Sequence, residues 1–355
     1  MAGGQTASEY ARRGLITALV AVAAVVAAAQ PALAERPAGP PVRLAAGPSA
    51  FPAGVLRAVA ARTGCRVRIV PPLAPGAVPA AGIDLVELRG DDAGALVASG
   101  RLELIKESTV PGLGDVPGKL RDVVRDAAGG LRAVPYLWSP QLLLARRSVH
   151  GTKPPKSLRA LFSLRGAERT ALPDSPLELA IAARYLGVGD PFELDRDELA
   201  AARGVVAPAR PLLHLYSDAA ALRSLFRRGV IDLALGNAAT LGDQRGSVVA
   251  SVPAEGTIST ERVLGVVAGT RRAVCARRVA GALLAPAAQA RLAASRGLLP
   301  VRTATCAALS EGACTTLRRA LSQTLANSSM AIHPAASEGV TGWPEWVGEW
   351  VLLRG

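Results

Sequence analysis

Aromatic side chains make up only 3% of this 355-residue chain, lysine occurs four times and histidine three times. So few rings exclude a stacking platform for single-stranded nucleic acid. The arginines are spread along the chain and form no basic tail, so no nucleic-acid partner is expected. His150, His214 and His333 stand isolated. No Gly-x-Ser-x-Gly, His-Glu-x-x-His, phosphate loop or dinucleotide fingerprint accompanies them, so the chain is not read as an enzyme and no cofactor is expected. No Cys-x-x-Cys or adjacent histidine supports zinc, and no metal site is expected. A lipid-modified N-terminus is unsupported too, because no cysteine lies near residue 34.

What is present begins with an export signal. Arg12-Arg13 form a positive n-region, residues 14–29 an apolar stretch, and Ala32-Leu33-Ala34 a small-x-small cleavage site before Glu35. The paired arginines also permit the twin-arginine route. Residues 1–34 are therefore set aside, and the rest is expected to be periplasmic or secreted. The full-length net charge of +13 becomes +12 once Glu9, Arg12 and Arg13 are removed. A charge of that size fits nucleic acid, an anionic surface, or only a codon bias toward arginine. The remaining length exceeds what one core usually serves, so two lobes are expected.

Outside the reducing cytoplasm, four cysteines read as two disulfides. Cys306 and Cys314 flank a turn-like Ser310-Glu311-Gly312 spacer and are paired, leaving Cys65 for Cys275. Strands are predicted near residues 42–46, 65–70 and 83–88, with a helix carrying Val55, Leu56 and Val59 between the first two and a helix capped by Asp91 or Asp92 after the third. This βαβαβ alternation favours a parallel sheet. Residues 102–130 are polar and broken by proline and glycine. The Val134–Ala145 stretch holds two apolar runs around Ser139-Pro140, and Pro135 cannot donate to a central ladder. It reads as strand, bend, strand between two bodies, or as a buried hairpin. Ile231–Asn237 reads as a buried strand running into a turn, and Trp343, Trp346 and Trp350 as one helix face packing onto the body.

Several segments, in order, resemble the spermidine/putrescine-binding family of extracytoplasmic solute-binding proteins. They are Val134-Pro135-Tyr136-x-Trp138, Phe51–Leu56 with Arg62-Thr63-Gly64, Asp84–Leu102, Asp174–Glu178 with Tyr185-Leu186-Gly187, and Tyr216-Ser217-Asp218 followed by Gly229–Gly236 and Pro253–Gly256. The resemblance implies an α/β, two-lobed type II "Venus flytrap" with a sheet in each lobe and a hinge between them. The expected division is 35–135 in lobe 1, 136–261 in lobe 2, 262–302 returning to lobe 1 and 303–355 packing on lobe 2. It also implies a monomeric receptor that delivers a small polar solute to ABC permease subunits. An exported sensor or accessory protein that has lost transport is the alternative.

The family holds amines with an aromatic box and carboxylates. Here its early Trp and Tyr fall on Gly47 and Ala50, its Ser and Tyr after the third strand on Arg89 and Asp91, and its second-lobe Asp on Ser175. Glu178 keeps a neighbouring acid. A further Trp falls on Gly236, the Trp and Asp of the second hinge on Thr260 and Arg262, and a late Tyr on Leu298. Losing about four rings at roughly 0.5–2 kcal/mol each removes most of what would hold a polyamine. The candidate ligand set is Arg89, Asp91, Tyr136, Trp138, Ser175, Glu178, Thr260 and Arg262. The arginines, with Arg302, favour an anionic or zwitterionic solute, helped by donors near Ser175 and Ser217.

Overall fold

A computed structural model describes residues 39–74, 77–237, 246–333 and 337–355. The expected export segment and the bond before Glu35 lie outside the described residues. The first strands are β1 (Val42–Ala45), β2 (Val67–Val70) and β3 (Leu85–Arg89), with β1 parallel to both neighbours. Helix Ala53–Thr63 joins β1 to β2. It buries Val55 and Val59 and stops at Gly64, whose left-handed φ of 70° fits a residue without Cβ. Helix Gly90–Ala98 follows β3 directly, and the residue at its N-cap is Arg89. The expected aspartate cap is therefore corrected: the strand leaves no loop in which Asp91 or Asp92 could stand outside the helix.

Residues 102–130 are read from sequence as polar and broken by proline and glycine. Their apolar minority instead fills the first core: Leu102, Val110, Leu113, Leu120 and Val124 are all completely buried. The prolines and glycines break regular structure without preventing burial.

β4 (Val134–Pro140) lies inside the first sheet and β5 (Leu142–Arg146) inside a second, so the stretch is a crossing and not a hairpin. The change of sheet falls at Gln141, later than expected. Pro135 does not end the strand, because the partner strand accommodates it. β10 (Thr257–Val266) runs antiparallel to β4 and shifts register between Arg262 and Val263, where Val263 faces Pro135. A missing donor is tolerated at such an irregularity.

The second sheet adds β6 (Thr170–Pro173), β7 (His214–Tyr216), β8 (Leu233–Gly236) and β9 (Val248–Ser251), in the order β7-β6-β8-β5-β9. Leu143 and Ala145 point to one core and Leu144 to another, so both faces of the sheet are covered. The chain returns to the first sheet at Thr257, before Glu261. With β11 (Leu299–Pro300), that sheet is ordered β11-β4-β10-β3-β1-β2, and β12 (Ser328–Met330) also pairs with β10. Residues 303–330 stay with the first lobe, since Ala320, Leu325 and Met330 belong to its core. The last helix, Trp343–Arg354, packs on the second lobe through Trp346, Trp350 and Leu353. Both disulfides, Cys65–Cys275 and Cys306–Cys314, are formed.

Candidate functional site

Parallel β1 and β3 end at the same edge of the first sheet, where ligands of open α/β sheets bind. A cavity of about 450 Å³ opens there. Gly47, Ser49 and Ala50 after β1 form one wall, and Glu87, Arg89 and Asp92 another. Arg262 reaches it from β10, and Ser295 and Arg296 close it from the end of helix Pro286–Arg296. The two positions where the family's early rings would stand, Gly47 and Ala50, thus line open space.

Charge in this pocket is unevenly paired. Arg296 bonds to the Glu87 carboxylate and to the Tyr136 hydroxyl, which itself donates to Glu87 at 2.7 Å. Burial, then the Glu87 charge, pushes the Tyr136 phenol well above its usual range, so it stays a neutral donor. Arg89 approaches Asp92 at 3.8 Å, and Asp92 also meets His333 at 3.6 Å. Arg262 stands directly across the ladder from Arg89. It makes no hydrogen bond or ion pair among the described residues. Burial, then the positive charge of Arg296, lowers its pKa, with Glu87 acting in the opposite direction. Like charges directly opposite on paired strands are unfavourable. The register shift beside Arg262 is the kind of irregularity that re-aims a side chain at a site.

Of the expected ligand residues, then, only Arg89 and Arg262 line this cavity. Tyr136 lies beneath it, buried against Phe51 at 5.8 Å between ring centres, and acts through Glu87 and Arg296. Trp138 is completely buried and donates its indole N–H to the Pro300 carbonyl at 3.0 Å, which leaves no atom for a solute. Thr260 pairs with Ser139 on β4 and is not among the lining residues. Ser175 is engaged in a turn, accepting from the Leu177 N–H at 3.2 Å. Arg302 is held by Asp115 and by the Leu284 carbonyl, so it is no anion ligand. The backbone of Asp91 is in helix Gly90–Ala98, and its side chain lies outside the described part of the structure.

Glu178 opens the second lobe's helix Glu178–Leu186 and is 1% exposed. One oxygen accepts from Gln141 at 3.2 Å, and the other has no partner among the described residues. Burial pushes its pKa up to about 8, so at neutral pH it is mostly a neutral acid. Nearby Tyr216 donates to the Leu235 carbonyl at 2.7 Å, and a Cβ on Gly236 would come within 2.7 Å of that hydroxyl. A side chain at Gly236 would therefore have to push the Tyr216 ring aside. Sequence reasoning missed Glu87, Asp92, Ser295 and Arg296; the available signal was that Glu87 stands two residues before Arg89 on the same strand face.

A family model of bacterial extracellular solute-binding proteins matches residues 72–310. This chain belongs to that family. The solved structures similar to this solute-binding protein include a putative spermidine/putrescine ABC transporter protein from Listeria monocytogenes, with a TM-score of 0.72 at 12% identity, covering 88% of this chain and 98% of that one. The spermidine/putrescine substrate-binding protein of Streptococcus pneumoniae aligns with a TM-score of 0.70 at 12% identity, over 88% and 96%. A protein described as a GABA receptor aligns with a TM-score of 0.69 at 17% identity, over 89% and 97%. The two-lobed α/β fold of these receptors is thus the fold of this protein.

Proposed function

We propose that this protein is the extracytoplasmic receptor of an ABC transporter and takes a small anionic or zwitterionic solute in place of a polyamine. The observation that carries the reading is Arg262, a half-buried guanidinium facing Arg89 in the cavity with no bonded partner among the described residues. A buried cation without a counter-ion is costly, and a bidentate carboxylate or phosphonate removes that cost. Ser49 and Ser295 add hydroxyls, and Asp92 offers a carboxylate to any amine. Glu178, mostly protonated, presents little charge to a polycation. The similar structures include receptors named for polyamines and one named for GABA, a zwitterion, so the fold serves both ligand types.

A thermal-shift screen tests the reading. A ligand at a hundred times its Kd adds about 2.7 kcal/mol. An amino acid, carboxylate or phosphonate should raise Tm, spermidine and putrescine should not, and Arg262→Ala should abolish the shift. A spermidine shift that survives Arg262→Ala would refute it.

A further inference from the structure

Two stretches of the first lobe, residues 39–83 and 262–310, contain no aspartate or glutamate. The fold joins them through the Cys65–Cys275 bridge, whose Cα atoms are 5.8 Å apart. Arginines that are scattered along the sequence collect around that bridge. Arg62 ends helix Ala53–Thr63 just before Cys65, Arg68 stands on edge strand β2, Arg271 precedes helix Ala273–Leu283, and Arg278 shares the Cys275 face of that helix. All four are exposed, and none makes an ion pair among the described residues. Asp84, the first acid after residue 38, cannot neutralise them: it is 1% exposed and is held by Thr270, Arg272 and the Arg43 N–H.

We propose that this arginine face rests on the anionic phospholipid headgroups of a bilayer. The face has charge but no anchor: no Phe, Tyr or Trp occurs from residue 52 to 135 or from 262 to 310. Protein interfaces concentrate their affinity in aromatic and arginine anchors seated in pockets, and single-stranded nucleic acid needs rings to stack on. A headgroup surface needs only clustered cations at close range. Exposed Val274, next to Cys275 of the bridge, adds a small apolar contact.

Vesicle co-sedimentation of the exported protein tests this. Phosphatidylglycerol-containing vesicles should carry the protein down at low salt and release it in about 0.5 M salt, while phosphatidylcholine vesicles should not bind it. The triple variant Arg62→Gln, Arg68→Gln, Arg278→Gln should bind about tenfold more weakly or worse. A charge-matched variant of exposed second-lobe arginines, Arg159→Gln, Arg165→Gln, Arg227→Gln, should bind like the wild type, with the fold of both checked by circular dichroism. Equal loss in the two variants would reduce the effect to net charge and overturn the proposal. So would binding that ignores lipid charge. Failure to bind the anionic vesicles would also overturn it.

Discussion

In the second lobe, Arg146 and Arg169 converge on Asp232, Arg203 meets Glu349, and Arg354 meets Asp174, so these four arginines are matched within the fold. In the first lobe Arg262 faces Arg89, and the return segment 257–330 carries ten arginines against only Glu261 and Glu311. The lobes also differ in how they are held. The second is one stretch, residues 141–256, closed by the tryptophan helix, which Thr341 and Asp174 anchor by accepting from the Trp346 and Trp350 N–H groups. The first is assembled from segments that the whole second lobe separates, and both disulfides lie in it. A discontinuous lobe has more chain entropy to overcome, and its bridges act on that cost.

The sharpest way to break this contrast is to remove the bridges. Cys65–Cys275 spans a sequence separation of 210, which the chain-entropy model values at about 5 kcal/mol, against roughly 2.6 kcal/mol for Cys306–Cys314 with its separation of 8. Replacing Cys65 and Cys275 by serine should therefore cost about twice as much as replacing Cys306 and Cys314. Hydrogen exchange should report the loss in β1, β2 and helix Ala273–Leu283 while the second-lobe strands stay protected. Equal losses, or a loss spread evenly over both lobes, would contradict the picture.

The fold was legible where local chemistry and tertiary placement agree: the three early parallel strands with the helix between the first two, the crossing near Pro140 and the two cysteine pairs, although the expected βαβαβ alternation is β-α-β-β-α, with no helix between β2 and β3 among the described residues. It was misread where they part. Pro135 looked out of place in a central ladder because the register shift on β10 that accommodates it lies more than a hundred residues away. Residues 102–130 looked polar because their buried residues are few among prolines, glycines and charges and follow no helix or strand period. Arg89 and Arg262 were named through the resemblance, which places ligands at their positions, and both line the cavity. Glu87 and Arg296 were not, because their roles depend on a mutual contact between residues far apart in sequence. Trp138 was misassigned because an aromatic beside a hinge has the same sequence signal whether it faces the cleft or the core.

A second test concerns how the lobes store ionisable groups. Glu178 has its folded pKa raised from 4.5 to about 8 by burial. Between those values the folded protein holds a proton that the unfolded chain has lost, so stability falls as pH rises through the window and levels off above 8. Glu178→Gln should remove this slope and leave the protein more stable at pH 9, by on the order of 3 kcal/mol. Denaturant midpoints from about pH 5 to 9 measure it. An unchanged slope would mean that Glu178 is solvated in solution and that the second lobe does not bury a neutral acid.

The smallest effect is the most discriminating, because its sign separates a binding arginine from a structural one. Asp232 is the only carboxylate bonded to Arg146 and Arg169 among the described residues. Removing either arginine weakens a bonded cluster, so the unliganded protein should lose stability. Arg262 is different. Its guanidinium is half-buried, repelled by Arg296 and placed across from Arg89, so its replacement by a neutral side chain relieves a conflict. Arg262→Met should raise the stability of the unliganded protein by about 1 kcal/mol, a Tm increase of one to a few degrees for a chain of this size, while removing the anion response. Stabilisation without ligand combined with lost binding is the mark of a residue kept for recognition. Destabilisation by Arg262→Met comparable to that of Arg146→Met would place Arg262 with the structural cations of the second lobe, and the contrast between the lobes would fail at the residue on which it rests.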